Sequence, residues 1–371
     1  MFDFFQRIAA FLMTFFLSIF SFYGIETENS VKNVILMVGD GMGFNHLAMT
    51  EQIRDVSLTI NTLPQQGMAM TYSGSDAVTD SAAGATALAC GIKTKNGMIG
   101  MYREGDTVFR EYDSSYPVNI THVCMENGMK TGVITSDNLS GATPGGFTAH
   151  TESRNNYSDI TSQQLKTGFD LIWGHYDETL TEEQVADAGY VYIDTISEMN
   201  RLTGNEKSYG MFTSSVYHTY NKNSYTPTLS QMTEKAIDLL DSENGFFLMV
   251  EGAHIDKKSH NEDEEAAAEA LEEFDNAVQI ALEFALKDKH TLLIVTADHE
   301  TGGVTLNEDG VYEMTTGSHT DAFVPVRAFG PYEFIAQGEV IENIMIPRRI
   351  ARALCFEKDS FPREVLVFNG S

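Results

Sequence analysis

The chain has 371 residues, enough for one large domain or two average ones, with ample apolar content for a sizeable core. Lys and Arg total 24 against 53 Asp and Glu, a net charge of −29, which argues against sequence-independent nucleic-acid binding and against docking on anionic membranes. The same field repels a phosphate-bearing ligand unless local cations reverse it, as bound divalent metals would.

Residues 1–25 carry Arg7 and then an apolar run from Ile8 to Tyr23, broken only by Thr14, Ser18 and Ser21. Its length suits the core of a signal peptide, with an uncleaved N-terminal membrane anchor as the alternative. Either reading places residues 26–371, taken as a single domain, outside the cytoplasm, periplasmic or secreted. The cysteines, Cys90, Cys124 and Cys355, are odd in number and far apart, so they spell neither a disulfide framework nor a zinc ribbon.

After a polar linker, Glu26 to Lys32, the run Val34–Val38 predicts a buried strand that ends in Gly39-Asp40-Gly41-Met42-Gly43. Glycines there let backbone approach a ligand closely and put the Asp40 carboxylate at the sheet edge. The string is no dinucleotide fingerprint, because it lacks the third glycine and the acid about twenty residues on. Gly67–Tyr72 predicts a second strand, and Thr79-Asp80-Ser81 opens a helix of small residues. Asp or Ser before an alanine-rich run is an ordinary N-cap. A serine at that position also sits among free N–H groups and a partial positive charge, which favour bound phosphate and an ionised oxygen.

Lys130–Ser136 reads as a strand leading into a loop, Gly141 to Gly146, that carries Thr143. Beyond it stands Arg154, either a solvated surface charge or a planar fork able to grip two phosphate oxygens. Residues 155–230 are polar and without a strong period; they read as an elaboration of the main domain, partly helical from about Thr181. Ser230–Leu240 predicts a helix that feeds the buried strand Phe246–Val250. Glu251, Asp256 and His260 follow within ten residues, a metal-site pattern past a strand end or simply a polar loop.

Glu262–Leu286 has apolar residues at 271, 274, 278, 281, 282 and 285, the spacing of a sheet-covering helix. Thr291–Thr296 is the clearest strand and ends in Asp298-His299, two metal donors on a turn; His319 lies in Gly317-Ser318-His319-Thr320. Strands alternating with helices imply an α/β fold with a mainly parallel central sheet and helices on both faces.

Asp40, Ser81, Thr143, Arg154, Glu251, Asp256, His260, Asp298, His299 and His319 call for one explanation. Carboxylates mixed with neutral imidazoles suit zinc, whereas an all-oxygen set with a threonine hydroxyl suits magnesium. The chain resembles the alkaline phosphatase family in VGDG at 38–41, TDSAAGATA at 79–87, ATPGGFTAHTESR at 142–154, VEGAHIDKKSH at 250–260, TADHETGG at 296–303 and GSHT at 317–320. The resemblance implies that family's three-layer sandwich and hydrolysis of phosphate monoesters through a covalent phosphoserine at Ser81, with Arg154 as phosphate clamp. It implies two zinc ions, one on Asp256, His260 and His319 and the other on Asp40, Asp298 and His299. Asp40 would also bridge to one magnesium held by Thr143 and Glu251. A homodimer is implied as well. With no base-reading or sugar-binding residues evident, broad monoester specificity is expected.

One departure stands out: Gly141 lies where relatives commonly carry Asp or His, so Lys257 loses a likely partner at that position. A sulfatase is excluded, since Ser81-Ala82-Ala83-Gly84-Ala85 cannot serve as its C/S-x-P-x-R string. The alternatives are a phosphodiesterase of the same superfamily and a non-catalytic metal- or phosphate-binding surface protein.

Overall fold

The computed structural model describes residues 31–102, 116–212, 225–356 and Phe361, so the apolar N-terminal segment lies outside the described residues. Among these residues no helix is long and apolar enough to cross a membrane.

The strands of the main sheet are β1 (Asn33–Gly39), β2 (Gln65–Met70), β3 (Lys130–Asn138), β4 (Leu171–His175), β5 (Val191–Ile193), β6 (Ser208–Phe212), β7 (Phe246–Gly252), β8 (Thr291–Thr296), β9 (Val324–Phe329) and β10 (Val340–Glu342). Their spatial order is β10-β2-β9-β8-β1-β7-β3-β4-β6-β5. Only β9 runs antiparallel, to both β2 and β8; the other pairings are parallel. Every residue of β1, β7 and β8 is buried, as expected of strands covered on both faces. The helices Glu264–Asp288 and Leu229–Leu240 pack together on one side, and Ile120–Glu126 and Ala142–Thr148 form a separate layer with Ser81–Cys90. The expected α/β sandwich is the fold observed.

Register sets the position of the site. Val38 of β1 lies opposite Glu251 of β7 and Thr296 of β8, so the carboxyl ends of these strands are level. The chain leaves β1 at Asp40, β7 at Gly252 and β8 at Asp298, which gathers the donors at one edge, where open α/β sheets bind ligands.

Two stretches differ from expectation. Gly141–Gly146 is not a loop: Ala142–Thr148 is a helix, with Pro144 in the first turn, where its missing N–H costs nothing. Packing overrides the weak helix propensity of the two glycines. A Cβ on Gly146 would stand 2.7 Å from the Ala85 Cβ, so glycine there lets this helix lie directly on Ser81–Cys90. Residues 155–230 hold more than polar elaboration: β4, β6 and β5 extend the sheet beyond β3, and all five residues of β6 are buried. The helical start near Thr181 is seen as Glu182–Asp187, capped by the Thr181 side chain.

Candidate functional site

Ser81 is the first residue of its helix, and the preceding Asp80 is the N-cap, its carboxylate accepting from Ala83 N at 3.0 Å. Asp80 takes the N–H groups of Ala83 and Gly84, and helix geometry gives the N–H groups of Ser81 and Ala82 no acceptor within the helix. Gly84 brings the helix against β8, since a Cβ there would lie 2.9 Å from the Asp298 Cβ. As a result Ser81 Oγ stands 3.2 Å from His299 Nε2. Asp80 Oδ2 also accepts from Gly97 N at 3.0 Å and from Arg154 Nη1 at 3.2 Å, so one carboxylate orients both the Ser81 helix and the arginine.

Asp256 and His260 fall on one face of the short helix His254–Ser259, a spacing of four residues that this helix turns into convergence. His260 Nε2 and His319 Nε2 lie 3.3 and 3.5 Å from Asp256 Oδ1 and 3.2 Å from each other. Their Nδ1 atoms face the carbonyls of Gly317 at 2.8 Å and Thr79 at 2.9 Å. A carbonyl only accepts, so each Nδ1 carries the proton and a neutral ring turns a bare Nε2 lone pair inward. With Nε2 deprotonated, each ring offers a lone pair to a cation placed between these atoms, a place that a proton on His260 Nε2 would otherwise take; tetrahedral donors about 2.0–2.2 Å from zinc lie at comparable separations.

His299 repeats the pattern. Thr301 Oγ1 donates to Asp256 Oδ1 and therefore accepts from His299 Nδ1, 3.2 Å away, leaving Nε2 bare. That Nε2 lies 3.5 Å from Asp40 Oδ1 and 3.3 Å from Asp298 Oδ2. Asp40, Asp256 and His299 form a group close enough to share an ion, so Asp256 serves both groups, and Asp298 joins through His299. Asp298 Oδ1 is taken by the N–H groups of Gly41 and His299. Stacked rings of His299 and His319, 3.6 Å between centroids, hold the two groups side by side.

Asp40 Oδ1, Asp298 Oδ2 and Thr143 Oγ1 are buried without a hydrogen-bond partner. Buried polar atoms are almost always satisfied, so an orphan cluster of oxygens among bare imidazoles fits metal ions. Around Thr143 the set is all oxygen: Glu251 lies beside it, fixed by the Thr135 hydroxyl.

The electrostatics agree. Burial, reinforced by Asp298, Asp256 and Glu251, pushes the Asp40 carboxyl well above its ordinary range. Burial and then the charge of Asp137 lift Glu251 to about 8. Burial works against Asp256, but His260, His319, His299 and Thr301 outweigh it and hold that carboxyl well below the usual range. The Asp256 carboxylate in turn raises His260 to about 9, while burial lowers His299. So many buried carboxylates would repel one another without cations among them.

Lys257 does not lack a partner. Its Nζ pairs with Asp137, a residue of β3 that no local pattern singles out, so the partner that Gly141 does not offer comes from elsewhere. Thr301, within the TADHETGG string, and Asp80, an N-cap by sequence, are further site residues that the motif pattern does not single out.

Cys90 and Cys124 are buried thiols. Comparison with known proteins gives a consistent picture. The alkaline phosphatase family model matches residues 31–172 and 173–316. Alkaline phosphatase 4 of Bacillus subtilis (strain 168) is 34% identical over 310 residues, covering 77% of this chain and 65% of that protein. Alkaline phosphatase of Escherichia coli (strain K12) is 29% identical over 397 residues, covering 82% of each. The chain spans about two thirds of the length of the two Bacillus subtilis relatives, 65% and 64%. A mutant of TAB5 alkaline phosphatase with Mg bound in its M3 site superposes with a TM-score of 0.77 at 28% identity, covering 89% of this chain and 99% of that one. A cold-active alkaline phosphatase from a psychrophile, Shewanella sp., gives 0.77 at 28% identity over 87% and 99%. With the family model matched from residue 31 to residue 316, the chain belongs to the alkaline phosphatase family.

Proposed function

We propose that this chain hydrolyses phosphate monoesters through a phosphoserine at Ser81, with two zinc ions and one magnesium ion held by its clustered donors. The observation that carries the proposal is the Ser81 hydroxyl, at a helix N-terminus and 3.2 Å from His299 Nε2, beside three buried oxygens that have no partner. Asp256, His260 and His319 would hold one zinc; Asp40, Asp298 and His299 the other; Asp40, Thr143 and Glu251 the magnesium. Bound ions would supply Lewis acidity, stabilising the serine alkoxide, the leaving oxygen and the charge on the transferred group.

The residues themselves account for the rest. Ser81 Oγ forms the new bond to phosphorus in line with the departing ester oxygen, while the first-turn N–H groups favour the developing anion. Arg154, fixed by Asp80 through Nη1, has further guanidinium donors for two of the equatorial oxygens. Water then attacks phosphorus, the Ser81 O–P bond breaks, and inorganic phosphate and the free serine are regenerated.

The test is p-nitrophenyl phosphate hydrolysis at alkaline pH with zinc and magnesium. Activity should be abolished by chelator and nearly eliminated by Ser81→Ala, with zinc stoichiometry unchanged in the variant. Protein that binds zinc stoichiometrically yet releases no nitrophenol would instead support a non-catalytic binding role.

A further inference from the structure

The lysine beside Asp256 takes its counter-charge from a place the motif pattern does not mark. Gly141 offers no side chain, and the room a side chain would enter is already filled. A Cβ at 141 would lie 2.9 Å from the Asn138 carbonyl and 3.4 Å from Asp137 Oδ2. Asp137 reaches this spot because the β3–β4 register shifts between Ile134 and Asn138, which takes it out of the regular ladder.

Two contacts tie Asp137 to the all-oxygen donors. Its N–H donates to Thr135 Oγ1 at 2.9 Å, and that hydroxyl donates to Glu251. Its charge is felt at the Glu251 carboxyl. Its carboxylate holds the Lys257 ammonium, one residue from Asp256. Lys257 is 45% exposed, so the pair adds little to the stability of the fold. Any effect it has would fall on an ion held by the neighbouring donors.

We infer that Asp137 and Lys257 form a charge-balancing pair that sets the affinity of the Thr143–Glu251 site for magnesium, Asp137 strengthening it and Lys257 weakening it. This rests on the magnesium reading of that site. A dication there is attracted by the carboxylate and repelled by the ammonium, and because the two charges touch, their fields largely cancel. Removing either one uncovers the other. The single substitutions therefore act with opposite sign, whereas a merely structural ion pair would give effects of the same sign, through stability alone.

The experiment is magnesium titration by calorimetry of full-length protein stripped of metal and reloaded with zinc, a readout independent of turnover. Asp137→Asn should weaken magnesium about tenfold or more, the range typical of residues that orient metal ligands. Lys257→Met should tighten it several-fold, and the double variant should return towards the unsubstituted protein. Should Asp137→Asn fail to fold, Lys257→Met alone decides by its sign. Shifts in the same direction, or none beyond twofold, would overturn the pair's role while leaving the magnesium site standing. If the unsubstituted protein takes up no magnesium at all, the site reading fails, and the pair's role fails with it.

Discussion

Thr301→Val removes one hydroxyl and little volume, from the point where the two histidine groups meet. That hydroxyl donates to Asp256 Oδ1 at 2.5 Å and accepts from His299 Nδ1 at 3.2 Å, and His299 is fully buried. After the substitution the His299 Nδ1–H has no acceptor, and a buried donor left unsatisfied costs about 1–3 kcal/mol. Asp256 also loses a charge-assisted bond that orients it towards His260 and His319. Because the hydroxyl fixes which His299 nitrogen is bare, we expect zinc affinity to fall about 10–100-fold. Competition against a chromophoric chelator measures this directly, with Thr301→Ser, which keeps the hydroxyl, staying close to the unsubstituted protein. Zinc affinity within twofold of normal in Thr301→Val would refute the reasoning.

Arg154→Ala should lower kcat/KM for p-nitrophenyl phosphate by about 10–100-fold, the worth of one or two charge-assisted hydrogen bonds, mostly through KM; steady-state kinetics with KM unchanged would exclude a clamp. Gly146→Ala places a methyl group 2.7 Å from the Ala85 Cβ and should cost about 1–3 kcal/mol, read as a lower urea midpoint. In metal-stripped protein, Glu251 is raised from 4.5 to about 8 and His260 from 6.5 to about 9. Both groups hold more protons when folded, so their contributions are present at low pH and are lost as pH rises through those folded values. Four histidines lowered by burial, His46, His122, His150 and His299, act in the opposite sense only below their ordinary 6.5, so from there up to about 9 the metal-stripped protein should melt at a progressively lower temperature, and a flat or rising profile over that range would count against this.

The fold was legible wherever a buried apolar run met a glycine or an acid, as at Val34–Val38, Phe246–Val250 and Thr291–Thr296, because a strand covered on both faces needs such a run. β4 and β6 escaped notice because five-residue stretches such as Ser208–Phe212 mix serine and glycine with aromatics and show no period. The helix Ala142–Thr148 was hidden by its own proline and glycines, whose use is visible only in the contact with Ala85. Asp40 and Asp298 had a local cue, since each stands just past a buried strand, and so did Thr143, near a helix start. Asp137–Lys257 and Thr301–Asp256 were not, because both join residues far apart in sequence and depend on where two strand ends happen to meet.

The most direct measurement is chemical trapping of the enzyme intermediate. Zinc- and magnesium-loaded protein, turning over p-nitrophenyl phosphate and quenched in acid, should carry covalent phosphate that peptide mass spectrometry places on Ser81, and Ser81→Ala should carry none. Phosphate on a different residue, or rapid turnover with no phosphoenzyme under any quench condition, would contradict nucleophilic attack by Ser81.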